Sequence, residues 1–247
     1  MGKRPSVLIL ALLSFIALLA SLLWIVSQIG DTRDSRVRQF WRWARGNERE
    51  RATLVTTQRE PCPGAPFVLP SDGFIGLLYN DPNGPYSSNA PHQGIDIFSN
   101  AEPGITPVYA AYDGYITRES AWRSTLIQRV PEDPLNPGTQ VWLYYTHMAD
   151  EEGNDFIVDD FPPGTHEYFV GQGTLLGYTG NYNGGALRDI WVHLHFSIVK
   201  DDGLGGYLNE LEFPNTIDPT PYLGLPVNYD CREESIQCGL ASSCAQK

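Results

Sequence analysis

The feature that most constrains this chain is its rhythm. From about residue 53 to residue 223, short apolar runs alternate with turn residues, with no internal repeat and no heptad pattern. Gly 24 and Pro 19 supply the punctuation, which favours a β-rich domain over a helical one. Residues 107–112 (PVYAAY) lead into Asp113-Gly114, a strong hairpin signal, and then into Tyr115-Ile116-Thr117. Residues 141–147 (VWLYYTH) and 191–198 (WVHLHFSI) are rich in β-formers.

Hydrophobic residues at 42% and aromatics at 12% can supply a real core. A chain of 247 residues suits one domain of ordinary size plus appendages. The net charge of -12 is unevenly spread: residues 1–51 hold nine of the 17 Lys and Arg and four of the 29 Asp and Glu, leaving eight and 25 for the rest. So acidic a body repels nucleic acid, which excludes that partner class. The basic end suits anionic lipid headgroups instead.

After Met1-Gly2-Lys3-Arg4, residues 7–26 are apolar and free of charge. About twenty helical residues at ~1.5 Å each span the ~30 Å hydrocarbon core of a bilayer. A cleaved signal peptide is the rival reading, but Leu18 stands where a small residue is wanted before Ala20. A retained transmembrane anchor is therefore expected over residues 1–30. Residues 31–60 read as a basic juxtamembrane linker whose Phe40, Trp41 and Trp43 suit either the membrane interface or a solvated tether. The folded domain is expected over residues 61–225, starting at Pro61-Cys62-Pro63-Gly64, and residues 226–247 form a tail with Cys231, Cys238 and Cys244.

Five histidines are present: His92, His147, His166, His193 and His195. His92 and Asp96 are four apart, and on a strand even separations share a face. Gly94 between them leaves room for an ion or a backbone to approach. His193 and His195, two apart on another expected strand, also point one way. Imidazole nitrogen and carboxylate oxygen are common zinc ligands, and a catalytic zinc keeps three protein ligands plus water. Each pair alone says little; the surrounding wording makes them informative.

His92-Gln93-Gly94-Ile95-Asp96 resembles the H-x-G-x-D signature of the lysostaphin/LytM-type metallopeptidases. Residues 106–114 (TPVYAAYDG), Tyr145-Thr146-His147-Met148, and Gly171-Gln172-Gly173 followed by Gly177-Tyr178-Thr179-Gly180-Asn181 are similar to further segments of that family. His193-Leu194-His195-Phe196 matches its H-L-H-F signature, and Asp218-Pro219 to Leu223 looks like its usual domain close. The resemblance runs over roughly residues 66–223. It implies a mainly β fold: an antiparallel sheet domain with a groove holding zinc, preceded here by the N-terminal transmembrane helix. It implies His92, Asp96 and His195 as zinc ligands, with His147 and His193 as the catalytic pair and Tyr86 as a transition-state support. The departures, Tyr144-Tyr145-Thr146 before His147 and no Gly-Pro before His193, fall on loops and groove. His166, in a turn with no partner pattern, receives no role.

The activity so implied is zinc-dependent hydrolysis of peptidoglycan stem or cross-bridge peptides. With no H-E-x-x-H glutamate, histidine must do the acid–base work. The alternative is a catalytically silent binding or activator module, though such modules typically lack metal ligands. A substrate outside the cell places the domain on the extracytoplasmic side of a single-pass membrane protein. Arg33, Arg36, Arg38, Arg42 and Arg45 beyond the span argue against that placement by the positive-inside rule, while the short basic N-terminus and the cysteines argue for it. Cys62 is placed to pin the domain start to the tail, with three connectivities open.

Overall fold

The computed structural model of the protein describes residues 35–82, 90–185, 189–231 and 236–239. Two helices, α1 (Ser35–Arg45) and α2 (Glu48–Ala52), precede the strands. Asn47 caps α2 and exchanges hydrogen bonds with Glu50, a reciprocal box that satisfies two otherwise orphaned N–H groups. The strands follow: β1 (Phe74–Leu77), β2 (Ile95–Phe98), β3 (Pro107–Tyr109), β4 (Gly114–Thr117), β5 (Leu126–Val130), β6 (Val141–Thr146), β7 (Tyr168–Val170), β8 (Leu175–Tyr178), β9 (His193–Lys200) and β10 (Thr216–Ile217). A short helix, α3 (Thr220–Leu223), closes the unit on Gly224.

The large sheet runs β1-β2-β9-β6-β5-β4-β7, with β10 beside β9, and every pairing is antiparallel. β3 and β8 form a second, two-stranded sheet. The expected mainly β, antiparallel domain is what the chain forms. The core lies on one face of the large sheet, where alternate residues of three central strands converge: Ile95 and Ile97, Leu194, Phe196 and Ile198, Leu143 and Tyr145. Tyr145 is fully buried, so its hydroxyl must be satisfied from within. It donates to Gln128 Oε1 at 2.8 Å and accepts the Ala111 N–H at 3.0 Å. The other face of the same strands is left to Asp96, His193, His195 and Ser197, and that division positions the site.

Asp113-Gly114 does not make the expected hairpin. β3 pairs with β8 and β4 with β5 and β7, so the chain crosses here from the small sheet to the large one. Asp113 Oδ1 accepts the Gln172 N–H at 2.7 Å across the gap. A Cβ at Gly114 would lie 2.5 Å from the Arg129 carbonyl oxygen, so the glycine serves strand approach rather than a primed turn.

The membrane-spanning helix is corrected. Among the described residues no helix is long and apolar enough to cross a membrane, and the apolar run over residues 7–26 lies outside them. The longest described helix, α1, has 11 residues, about 16 Å of rise against the ~30 Å needed, and it carries Arg38, Arg42 and Arg45. Two of its three aromatic side chains pack against the sheet, while Trp41 is 48% exposed. Trp43 is 3% exposed and packs with Phe74 and Phe98, and Phe40 packs against the same cluster. A signal anchor, the membrane as partner and a single-pass extracytoplasmic placement lose their structural support with the helix.

Cys62 and Cys238 form a disulfide 176 residues apart in sequence. Cys231 is also disulfide-bonded, and no cysteine among the described residues is free. A cross-link closing so long a loop stabilises by about 2–5 kcal/mol, chiefly by restricting the unfolded chain. Cys62→Ser is expected to lower the melting temperature and to expose the segment around Ile236 to protease before any strand is cut. Unchanged protection there, with cleavage starting in the large sheet, would contradict this role.

Candidate functional site

β9 is the organising strand. Its His195 stands opposite Asp96 of β2 on one side and opposite Thr146 of β6 on the other, while His193 stands opposite Phe98. Antiparallel register therefore sets Asp96, His193 and His195 side by side on one face. His147 follows β6 directly and takes a left-handed backbone, φ 73°, turning its ring back over that face. His92 does not share a regular strand with Asp96, as the spacing suggested; it lies in the segment before β2. Its main chain is tied down by Asn80 N–H to His92 O at 2.8 Å and His92 N–H to Asp81 O at 3.1 Å.

Two glycines make the approach possible. A Cβ at Gly94 would lie 2.4 Å from the Phe196 carbonyl oxygen and 2.9 Å from the His195 ring, so only glycine lets the His92 segment close on β9. A Cβ at Gly180 would lie 2.0 Å from the Ala149 oxygen and 2.6 Å from the His147 oxygen. Gly180 is wedged there while its carbonyl accepts the His193 N–H at 3.1 Å.

Three atoms converge. His195 Nδ1 lies 2.8 Å from Asp96 Oδ1 and 3.1 Å from His92 Nε2, and His92 Nε2 lies 3.2 Å from Asp96 Oδ1. His92 Nδ1 faces the Leu78 carbonyl at 3.0 Å, so in the neutral ring the proton sits there and Nε2 is bare. His195 Nε2 faces the Glu210 carboxylate at 2.8 Å, so its neutral ring presents a bare Nδ1. When both rings are neutral, two lone pairs and a carboxylate oxygen point at one another, an arrangement that a cation satisfies. Four-coordinate zinc at about 2.0–2.1 Å sets its ligands roughly 3.3–3.4 Å apart, close to these separations. His92, Asp96 and His195 are buried and form a cluster able to hold a metal ion.

The electrostatics show that this point demands positive charge, met by a proton on His195 or by a bound cation in its place. Burial alone would raise the Asp96 carboxyl, but His92, His193 and His195 outweigh it and hold it well below the usual carboxylate range. Burial alone would lower His195; the charges of Glu210 and Asp96 and their hydrogen bonds push it up to about 10 instead. Two buried carboxylates thus draw positive charge to one point. His147 moves the other way: burial and the neighbouring His193 bring it down to about 3. Burial also lowers His193, with Asp96 opposing. Both rings are therefore neutral at neutral pH. Each fixes its Nδ1 proton on a main-chain carbonyl, His147 on Tyr182 and His193 on Trp191, both at 2.6 Å, so each turns a bare Nε2 away from that anchor. Their ring centroids are 4.4 Å apart.

The structure thus brings together five of the six residues named from sequence. Tyr86 lies outside the described residues, and His166 is exposed ahead of the edge strand β7, remote from the cluster. Sequence reasoning missed Glu210 and the anchoring carbonyls of Leu78, Tyr182 and Trp191. No spacing rule marks a glutamate 15 residues beyond His195, and a carbonyl belongs to every residue.

No protein-family model matches the chain, and no curated protein matches it. Solved structures do. Csd3 from Helicobacter pylori is 19% identical over 65% of this chain and 35% of its own, with a TM-score of 0.39. The antimicrobial peptidase lysostaphin from Staphylococcus simulans is 20% identical over 60% of this chain and 49% of its own, at 0.39. A putative glycyl-glycine endopeptidase lytM from Ruminococcus gnavus is 22% identical over 66% and 59%, at 0.40. These likenesses are distant, and the chain spans roughly a third to three fifths of those proteins' lengths.

Proposed function

We propose that the chain is a zinc-dependent endopeptidase acting on the peptide part of peptidoglycan, with His92, Asp96 and His195 as ligands and His147 and His193 as the acid–base pair. The observation that carries the reading is the pairing of three converging, buried ligand atoms with two neutral imidazoles beside them. When bound, zinc polarises a carbonyl and acidifies water. The chain's own groups supply the rest. The bare Nε2 of one neutral imidazole takes a proton from the attacking water, and that same proton, held on Nε2 or relayed through the neighbouring ring, stabilises the oxyanion and passes to the leaving amine as the C–N bond breaks. Main-chain carbonyls hold both rings in the tautomer this needs. Peptidoglycan as substrate rests on the sequence resemblance over residues 66–223.

The test combines metal analysis with digestion of purified peptidoglycan. One zinc per chain together with new amine termini is the expected result. Zinc without new amine termini would favour the silent binding module, and neither would remove the enzyme reading altogether. Running a denatured protein in parallel separates a general protease from a wall-directed one.

A further inference from the structure

The four imidazoles of the site are not anchored alike. His92, His147 and His193 each rest the ring nitrogen turned from the centre on a main-chain carbonyl. His195 instead reaches a carboxylate, with Nε2 2.8 Å from Glu210 Oε1. Glu210 is 8% exposed and is itself held: Ser197 Oγ donates to Oε1 at 3.0 Å, and Gln93 Nε2 approaches Oε2 at 3.5 Å. Ser197 follows His195 on the same face of β9, and Gln93 follows His92. One buried carboxylate therefore gathers both ligand-bearing segments from behind. A buried, ionised carboxylate is costly unless it is paired, so its position here, against a ligand ring and away from solvent, calls for a role.

We propose that Glu210 is a positioning residue that fixes His195 with Nδ1 directed toward Asp96 and His92 and strengthens it as a donor, so that it sets the affinity of the site for its metal. The inference rests on the zinc reading above. A carboxylate behind a ligating imidazole makes the ring a better electron-pair donor and locks its rotation, and loss of such a partner typically weakens metal binding by about 10–100-fold.

The test reads metal affinity without reference to turnover, by competition of the full-length protein with a chelator of known strength. Glu210→Ala is expected to weaken zinc binding by about 10–100-fold. Glu210→Gln keeps an oxygen able to accept from Nε2 but not the charge, so it is expected to recover part of that loss. The visible spectrum of the cobalt(II)-substituted protein is expected to shift in both variants, as a change confined to distant packing would not produce. Thermal unfolding of the metal-free variants guards against misfolding. If Glu210→Ala does not fold, the near-isosteric Glu210→Gln carries the test, expected to bind more weakly than wild type. Wild-type affinity in a folded Glu210→Ala or Glu210→Gln would overturn the proposal, and so would equal losses in the two. Failure of the wild-type protein to take up zinc would overturn the metal reading itself, a distinct outcome.

Discussion

Alanine at His92, Asp96 or His195 is expected to remove zinc and peptidase activity together, whereas alanine at His147 or His193 is expected to leave zinc bound and cut turnover by ~10²–10⁴-fold. The first half follows from ligand count: three protein donors leave no redundancy. The second follows from geometry. His193 Nε2 stands 3.8 Å from Asp96 Oδ2, outside the tight triangle of 2.8–3.2 Å edges, and His147 is anchored on Tyr182 with its ring over His193. Metal content by mass spectrometry and rates on a peptide substrate separate the two groups. A His193→Ala protein lacking metal, beside a His195→Ala protein retaining it, would exchange the two assignments. Asp96→Asn sharpens the test because it keeps the shape and removes the charge that the imidazoles hold in place.

Gly180→Ala is the second large effect, and it touches no ligand. The added Cβ would meet the carbonyl oxygens of Ala149 and His147 at 2.0 and 2.6 Å, backbone atoms that no side-chain rotation can move aside. Forced overpacking of this kind typically costs about 1–3 kcal/mol, and each kcal/mol lowers the melting temperature of a domain this size by about 2–4 °C. The strand carrying His193 hydrogen-bonds to Gly180, so relief of the clash pulls His147 and His193 apart. Activity is expected to fall by about tenfold or more while zinc remains bound. A variant melting like wild type with full activity would show that the loop yields elsewhere. Gly94→Ala makes the contrast, since its clash with Phe196 and the His195 ring is expected to lower zinc affinity first.

These contrasts also mark what the sequence can disclose. His193 and His195 were legible as a pair because strand periodicity of two puts them on one face whatever the neighbours are. Asp96 was legible because it sits in the same wording as His92, although the reasoning that placed both on one strand did not hold. The Asp-Gly step at 113–114 misled because a residue lacking a side chain serves a close strand crossing as well as a turn. Phe40 and Trp43 were open between a membrane interface and a solvated tether, and neither reading foresaw their packing, because the Phe74 and Phe98 they meet lie far along the chain. Glu210 was illegible because its value lies in what it stands behind. Its hydrogen bonds to His195, Ser197 and Gln93 exist only once the segment around residue 210 folds over β9.

Trp191 has a consequence of its own. Its carbonyl holds the His193 ring, while its indole is braced by Phe40 and Trp43 of α1, with centroids 5.2 and 5.5 Å away. Phe98, under the same brace, stacks on His193 at 5.1 Å. A chain cut back to begin at Thr53 would keep every donor atom and the whole large sheet, yet His193 would lose its backing. On the proposed reading, its rate would drift while its zinc content held steady. The length of chain kept ahead of β1 is therefore a variable of any activity assay, and two preparations differing only there do not present the same site.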